Sequence, residues 1–232
     1  MQIEDKDLGL IKLVENTRAR RIIVRKKDEF LQLTYPLGVS MSYIEKVLHE
    51  MKPRLLKMVE RKKEKLTFTP DTQFETFSFE LRIQEASATT NYYVSLKGGI
   101  LSISCPLGTD FKDALVQDKI RLVLENAFRN EAKRIFPYKV KMLAERYNFT
   151  VTDVKINKSR TRWGSCNSKK SINLSYFCML LPEHLVDFIM LHELCHTIEM
   201  NHGPRFWEQL DRVTGGRAKE LTKELKLFKI NW

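Results

Sequence analysis

An α+β fold is what this sequence predicts, and three observations lead to it. Apolar residues alternate at period two through much of the first hundred residues, as half-buried strands require. From about residue 110 the spacing changes to the 3.6-residue rhythm of helices. The last third then holds His192-Glu193-Leu194-Cys195-His196, whose two histidines, four apart, share one face of a helix. The expected organisation is a β-rich part over 1–109, built of antiparallel hairpins with helices, and a helical part over 110–232 that carries the HExxH helix.

A chain of 232 residues can bury one large core or two small ones. No apolar run approaches the ~20 residues of a membrane span, so no membrane partner is expected. The N-terminus is polar and lacks the apolar core of a signal peptide. Four irregularly spaced cysteines, with no Cys-x-x-Cys pair, speak against a disulfide framework and make the cytoplasm the expected compartment. The net charge of +11 favours encounters with polyanions such as nucleic acid, and +6 of it lies in residues 1–70, with 16 Lys/Arg against 10 Asp/Glu. A solvated basic surface is the plainer account of the same charge.

Taken in order, Leu8–Val14 is too short to type. Strands about 21–26 and 30–35 flank the turn Lys26-Lys27-Asp28-Glu29 and form a hairpin. Pro36-Leu37-Gly38 ends it. Ser40 or Ser42 then caps a helix with apolar positions Ile44, Val47, Leu48, Met51, Leu55 and Met58, closed by the charged run 61–65. Residues 66–90 read as one or two strands. A second hairpin joins Tyr92–Leu96 to Ile100–Cys105 through Lys97-Gly98-Gly99, and Pro106-Leu107-Gly108 follows it. Strand, Pro-Leu-Gly and helix thus recur at an offset of 70 residues, an internal repeat expected to build one antiparallel sheet. A long helical region over 110–147 is expected to break at Pro137. Val151, Val154 and Ile156 suggest a strand, and 161–176 a third hairpin. Pro182 suits the first turn of the histidine-bearing helix.

Two histidines at this spacing are half of a metal site. A hydrolytic zinc takes three protein ligands and keeps one position open. His202, six residues beyond His196, is the favoured third ligand; Glu199, three beyond, is the rival. The spacing i, i+4, i+10 matches the metzincins, although their glycine at i+7 is here Glu199. Glu193, beside the first ligand, is the expected general base, taking a proton from water at the metal and passing it to the leaving amine. His49 and His184 read as surface residues.

Arg162-Trp163-Gly164-Ser165-Cys166, the HExxH segment and Asn201-His202-Gly203-Pro204-x-Phe206-Trp207 together resemble the YgjP-like metallopeptidases of bacteria and archaea. The resemblance implies a zincin-type catalytic fold, Zn2+ held by His192, His196 and His202, and Glu193 as base acting on a peptide or protein substrate. His-Gly-Pro-x-Phe at 202–206 also resembles the SprT-like proteases, some of which cut proteins crosslinked to DNA. In a zincin the 161–176 hairpin supplies a sheet edge for an extended substrate. Arg160 and Arg162 are then candidates to bind substrate carbonyls, with structural ion pairing as their alternative. Trp163 reads as an aromatic of the core or one packed behind the site ligands, in preference to a substrate contact, and Phe206 and Trp207 as packing behind His202. The competing view is a nucleic-acid-associated basic protein in which the metal site is auxiliary, or a structural metal site without turnover. No specificity pocket and no oligomeric state is legible.

Overall fold

The structure, a computed structural model, describes residues 1–27, 30–60, 66–87, 90–229 and 232. The chain forms two compact units, Met1–Glu64 and Lys65–Trp232. The division expected near residue 110 therefore lies inside the second unit. The reason is packing: Leu81, Ile83, Leu101 and Ile103 share one core with the helices that follow.

The first unit holds strands β1 (Gln2–Asp5), β2 (Gly9–Glu15), β3 (Ile23–Lys26) and β4 (Leu31–Tyr35) and helix α1 (Met41–Glu60). The sheet order is β1-β2-β4-β3. The β3–β4 hairpin is the one expected. The β1–β2 hairpin is not: its first strand carries one apolar residue, and the sequence cue is Asp5, whose Oδ1 accepts from the N–H groups of Asp7 and Leu8 at 2.9 Å. Ser40 caps α1, its Oγ accepting from the Tyr43 N–H at 3.4 Å. Ile11, Leu13, Leu31, Leu33, Ile44, Leu48 and Leu55 form this unit's core. Asp28, Glu29 and the charged run 61–65 lie outside the described residues.

The second unit begins with β5 (Glu80–Ala86), β6 (Tyr93–Lys97) and β7 (Ile100–Pro106), in the order β5-β7-β6. Gly98 and Gly99, at φ +56° and +76°, make the tight turn of its hairpin. Helix α2 (Ala114–Tyr147) follows, capped by Asp113 and ended by Asn148 in the left-handed region. The expected break at Pro137 is absent: one helix of 34 residues runs through it. Interior proline costs about 3 kcal/mol, but Ala132, Phe136, Val140 and Ala144 are buried on both sides of it and hold the axis. Next come β8 (Asp153–Asn157), β9 (Gly164–Cys166) and β10 (Ser171–Ser175), a 3-10 turn over Tyr176–Leu180, then α3 (Glu183–Cys195), α4 (Pro204–Thr214) and α5 (Ala218–Leu225). No described helix is long and apolar enough to cross a membrane.

The two expected hairpins do not join into one antiparallel sheet. Each takes a preceding strand in parallel on its second strand: β2 on β4, and β5 on β7. Ile11 pairs with Leu31 and Leu13 with Leu33, while Leu81 pairs with Leu101 and Ile83 with Ile103, so the 70-residue offset extends to the register. The same plan occurs a third time: β8 runs parallel to β10, and β9 antiparallel to it. This third copy lacks Pro-Leu-Gly, which hid it in the sequence, and it is the copy that leads into the histidine helix.

The segment before β5 is clamped to α2 by buried Gln117. Its side-chain N–H donates to the carbonyls of Phe68 and Phe111, and its oxygen accepts from the Phe68 N–H, each at 2.8 Å. Gln117→Leu leaves these backbone groups unpaired in the core and should cost roughly 2–4 kcal/mol in urea unfolding.

Candidate metal centre

Helix α3 is buried on nearly every face, through Leu185, Val186, Phe188, Ile189, Met190, Leu191, Leu194 and Cys195. A helix apolar all round belongs inside a core, so the histidine mount is rigid. His192 sits in its last turn and His196 is its C-cap. The chain then leaves the helix through tightened turns: the Thr197 N–H donates to Leu194 O at 2.9 Å and the Ile198 N–H to Cys195 O at 3.1 Å. No residue between 196 and 203 has a positive φ. The turn that a glycine makes in the metzincin pattern is made here by 3-10-type hydrogen bonds. Gly203 and Pro204 start α4, with proline at the first helical position, and this sets His202 just outside it.

The result brings His192, His196 and His202 together, with one ligand nitrogen from each lying within 4.8 Å of the others. The Nε2 atoms of His192 and His202 are 3.1 Å apart. Two nitrogens bound about 2.0–2.1 Å from one zinc at the tetrahedral angle lie about 3.4 Å apart, so the spacing suits a shared ion. The His196 Nδ1–H donates to the Glu199 carbonyl at 3.0 Å, which turns its Nε2 lone pair inward. Glu199 thus contributes through its backbone. Its carboxylate accepts from the Asn201 N–H and is not among the converging donors.

Phe206 explains how three imidazoles hold this arrangement. Its fully buried ring stacks on His196 at 4.5 Å between centroids and meets His202 at 4.7 Å and His192 at 4.9 Å. Trp207 meets Phe206 edge-on at 5.7 Å. Phe206 therefore touches all three histidines, not His202 alone. Burial, reinforced by the neighbouring imidazoles, pushes His192 down to about 3. Burial lowers His196 as well. Neutral imidazole is the form that binds a metal.

Glu193 follows His192 on α3 and lines the same cavity as that histidine. It is 6% exposed, and burial pushes its carboxyl up to about 8, an effect a nearby divalent cation opposes. The β9 backbone runs against it. A Cβ on Gly164 would stand 2.6 Å from Glu193 Oε1 and 2.8 Å from its Cγ, so any side chain there would push this carboxyl aside. Sequence reasoning quoted Gly164 in a motif and gave it no role; the signal was a glycine inside a strand. Trp163 is fixed by its carbonyl, which accepts from the Ser175 N–H at 2.8 Å.

The two arginines separate. Arg160 donates to Glu125 Oε1 at 2.8 Å and to the Trp232 carbonyl at 3.1 Å. Lys158 and Tyr176 also bind Glu125. Arg160 is thereby committed to a structural ion pair. Arg162 is exposed and lines a polar cavity of about 230 Å³ with Asn157, Ser159, Thr161 and Ser165. All four cysteines are free, and burial pushes their thiols up, Cys195 to about 12. Protonated thiols are poor ligands.

The sequence profile of the YgjP-like, metallopeptidase domain matches residues 19–228. No curated protein matches the sequence. Among solved structures, the metallopeptidase zymogen abylysin of Pyrococcus abyssi is 21% identical with TM-score 0.35, over 38% of this chain and 90% of that one. The zymogen jannalysin of Methanocaldococcus jannaschii is 22% identical with TM-score 0.35, over 40% and 96%. Wss1 from Saccharomyces cerevisiae is 18% identical with TM-score 0.29, over 66% and 97%. At these scores the three likenesses carry no argument about function.

His202→Ala should abolish retention of metal after dialysis, measured by elemental analysis of the purified chain. His184→Ala, on the far end of α3, should retain it in full.

Proposed function

The chain belongs to the YgjP-like metallopeptidase family, and on that premise we propose that His192, His196 and His202 hold Zn2+ and that Glu193 is the general base of peptide-bond hydrolysis. The enzyme is a metal-dependent hydrolase. One observation carries the assignment of residues: three imidazole nitrogens converge within 4.8 Å on a buried aromatic support. An all-imidazole set with a free fourth position suits zinc. Bound there, zinc supplies Lewis acidity and the positive charge that makes water a nucleophile at neutral pH. Glu193 takes the proton from the attacking water and returns it to the departing amine. Its burial keeps bulk water from competing for that proton. On its outer side β9 has no neighbouring strand among the described residues. An extended substrate pairs with that edge through backbone hydrogen bonds, and Arg162, at its entrance, is placed to bind a substrate carbonyl.

A specific observation favours a second reading of the first unit. Arg18, Arg20, Arg21, Arg25, Lys26 and Lys27 are exposed, and no acid lies among residues 18–27. They run into β3, an edge strand. This surface suits the phosphates of a nucleic acid, and the protease would then act on proteins bound to DNA.

Glu193→Gln should keep zinc and slow hydrolysis of a casein or peptide substrate by about 10²–10⁴-fold. Gly164→Ala should also keep zinc while lowering kcat, because the new methyl displaces the Glu193 carboxyl. For the second reading, changing Arg20, Arg21 and Arg25 to Ala should flatten the slope of log K against log salt for duplex DNA by about 2.7. An unchanged slope removes that reading and leaves the first intact.

A further inference from the structure

An apolar cavity of about 150 Å³ lies beside His192 and Glu193. Its walls are Trp163 and Gly164 from the β9 side, Phe188 and Ile189 from α3, and Leu225 from the end of α5. Phe188 and Ile189 are buried in the core, while Trp163 and Leu225 pack on that core half-buried. Trp163 and Leu225 are therefore the walls a ligand can meet from outside. The position of Leu225 is set from a distance: His184 Nε2, in the first turn of α3, lies 2.7 Å from Oε1 of Glu224, the residue before it. This ties the end of α5 to the same helix that carries His192 and Glu193.

Size and polarity name the occupant. A cavity of about 150 Å³ lined by Leu, Ile and Phe side chains holds one benzene ring. That is the bulk of a Leu, Met or Phe side chain. Glu193 is the only acid in the lining, and it is occupied with catalysis in the reading above. A lysine or glutamate inserted here would lose its water without a free partner. Gly164 belongs both to the cavity wall and to β9, so a peptide laid along that strand passes over the opening.

We infer that this cavity selects the substrate. It takes an apolar side chain of Leu, Met or Phe size adjacent to the bond that is cut, and Leu225 and Trp163 are its specificity-determining residues. The inference rests on the peptidase reading.

The test uses the full chain loaded with zinc and quenched fluorogenic peptides that differ at one position, carrying Gly, Ala, Leu, Phe, Lys or Glu. At one position next to the cut, Leu and Phe should exceed Gly, Lys and Glu at least about tenfold in kcat/KM. Leu225→Trp should lower the Phe-to-Ala ratio at least about tenfold, and Leu225→Ala should shift preference from Leu toward Phe. The ratio is independent of the folded fraction, so a partly unfolded variant still reports. A second arm measures toluene binding to the metal-free protein by quenching of indole emission, expected for the parent chain and lost in Leu225→Trp. Cleavage without apolar preference at any position, or equal slowing of all peptides by Leu225→Trp, overturns the inference and leaves the peptidase reading standing. Toluene binding with no cleavage of any peptide overturns the peptidase reading and the assignment of specificity with it. Neither binding nor cleavage overturns both.

Discussion

The candidate centre depends on one buried ring. Three imidazoles crowd one point, and two of them bring Nε2 atoms within 3.1 Å of each other. Phe206 makes the gathering stable by offering each of them an aromatic contact, and its own position follows from α4, which Pro204 starts. Packing on this ring thus helps hold the three imidazoles where they can share one ion. Preorganisation of this kind spares a metal the ordering of its ligands.

The carboxyl of Glu193 depends on a different contact. Backbone, not side chain, lies against it at Gly164. The strand that presents this backbone belongs to the third copy of a plan used throughout the chain: one strand parallel, and one antiparallel, to a shared centre. In the first two copies the hairpin runs into Pro-Leu-Gly and a helix. In the third it runs through a 3-10 turn into α3. The same small sheet serves as scaffold twice, and once as the wall of a site.

Much of this was legible in the residues and some was not. The histidine spacing, the Pro204 helix start and the hairpins at 23–35, 93–106 and 164–175 follow from local chemistry, which single sequences record well. The unbroken α2 does not, because burial on both sides of Pro137 outweighs a local rule. The parallel pairing of β2, β5 and β8 was hidden for a related reason: it joins segments about twenty residues apart, and no turn residue marks it. Arg160 and Arg162 show the limit at the site itself. Two apart in sequence, they differ because Glu125, on α2, engages only the first. The role of Gly164 needed three dimensions too, since the space it leaves is filled from another element.

The hydrogen bond that orients His196 ends on the carbonyl of Glu199, an atom every amino acid possesses. The orientation of the imidazole therefore rests on the backbone at position 199, not on the glutamate side chain. A pattern that demands glycine there tests for a turn conformation absent from this segment, and would pass over three converging imidazoles. What the imidazole needs at that point is the direction of a peptide plane.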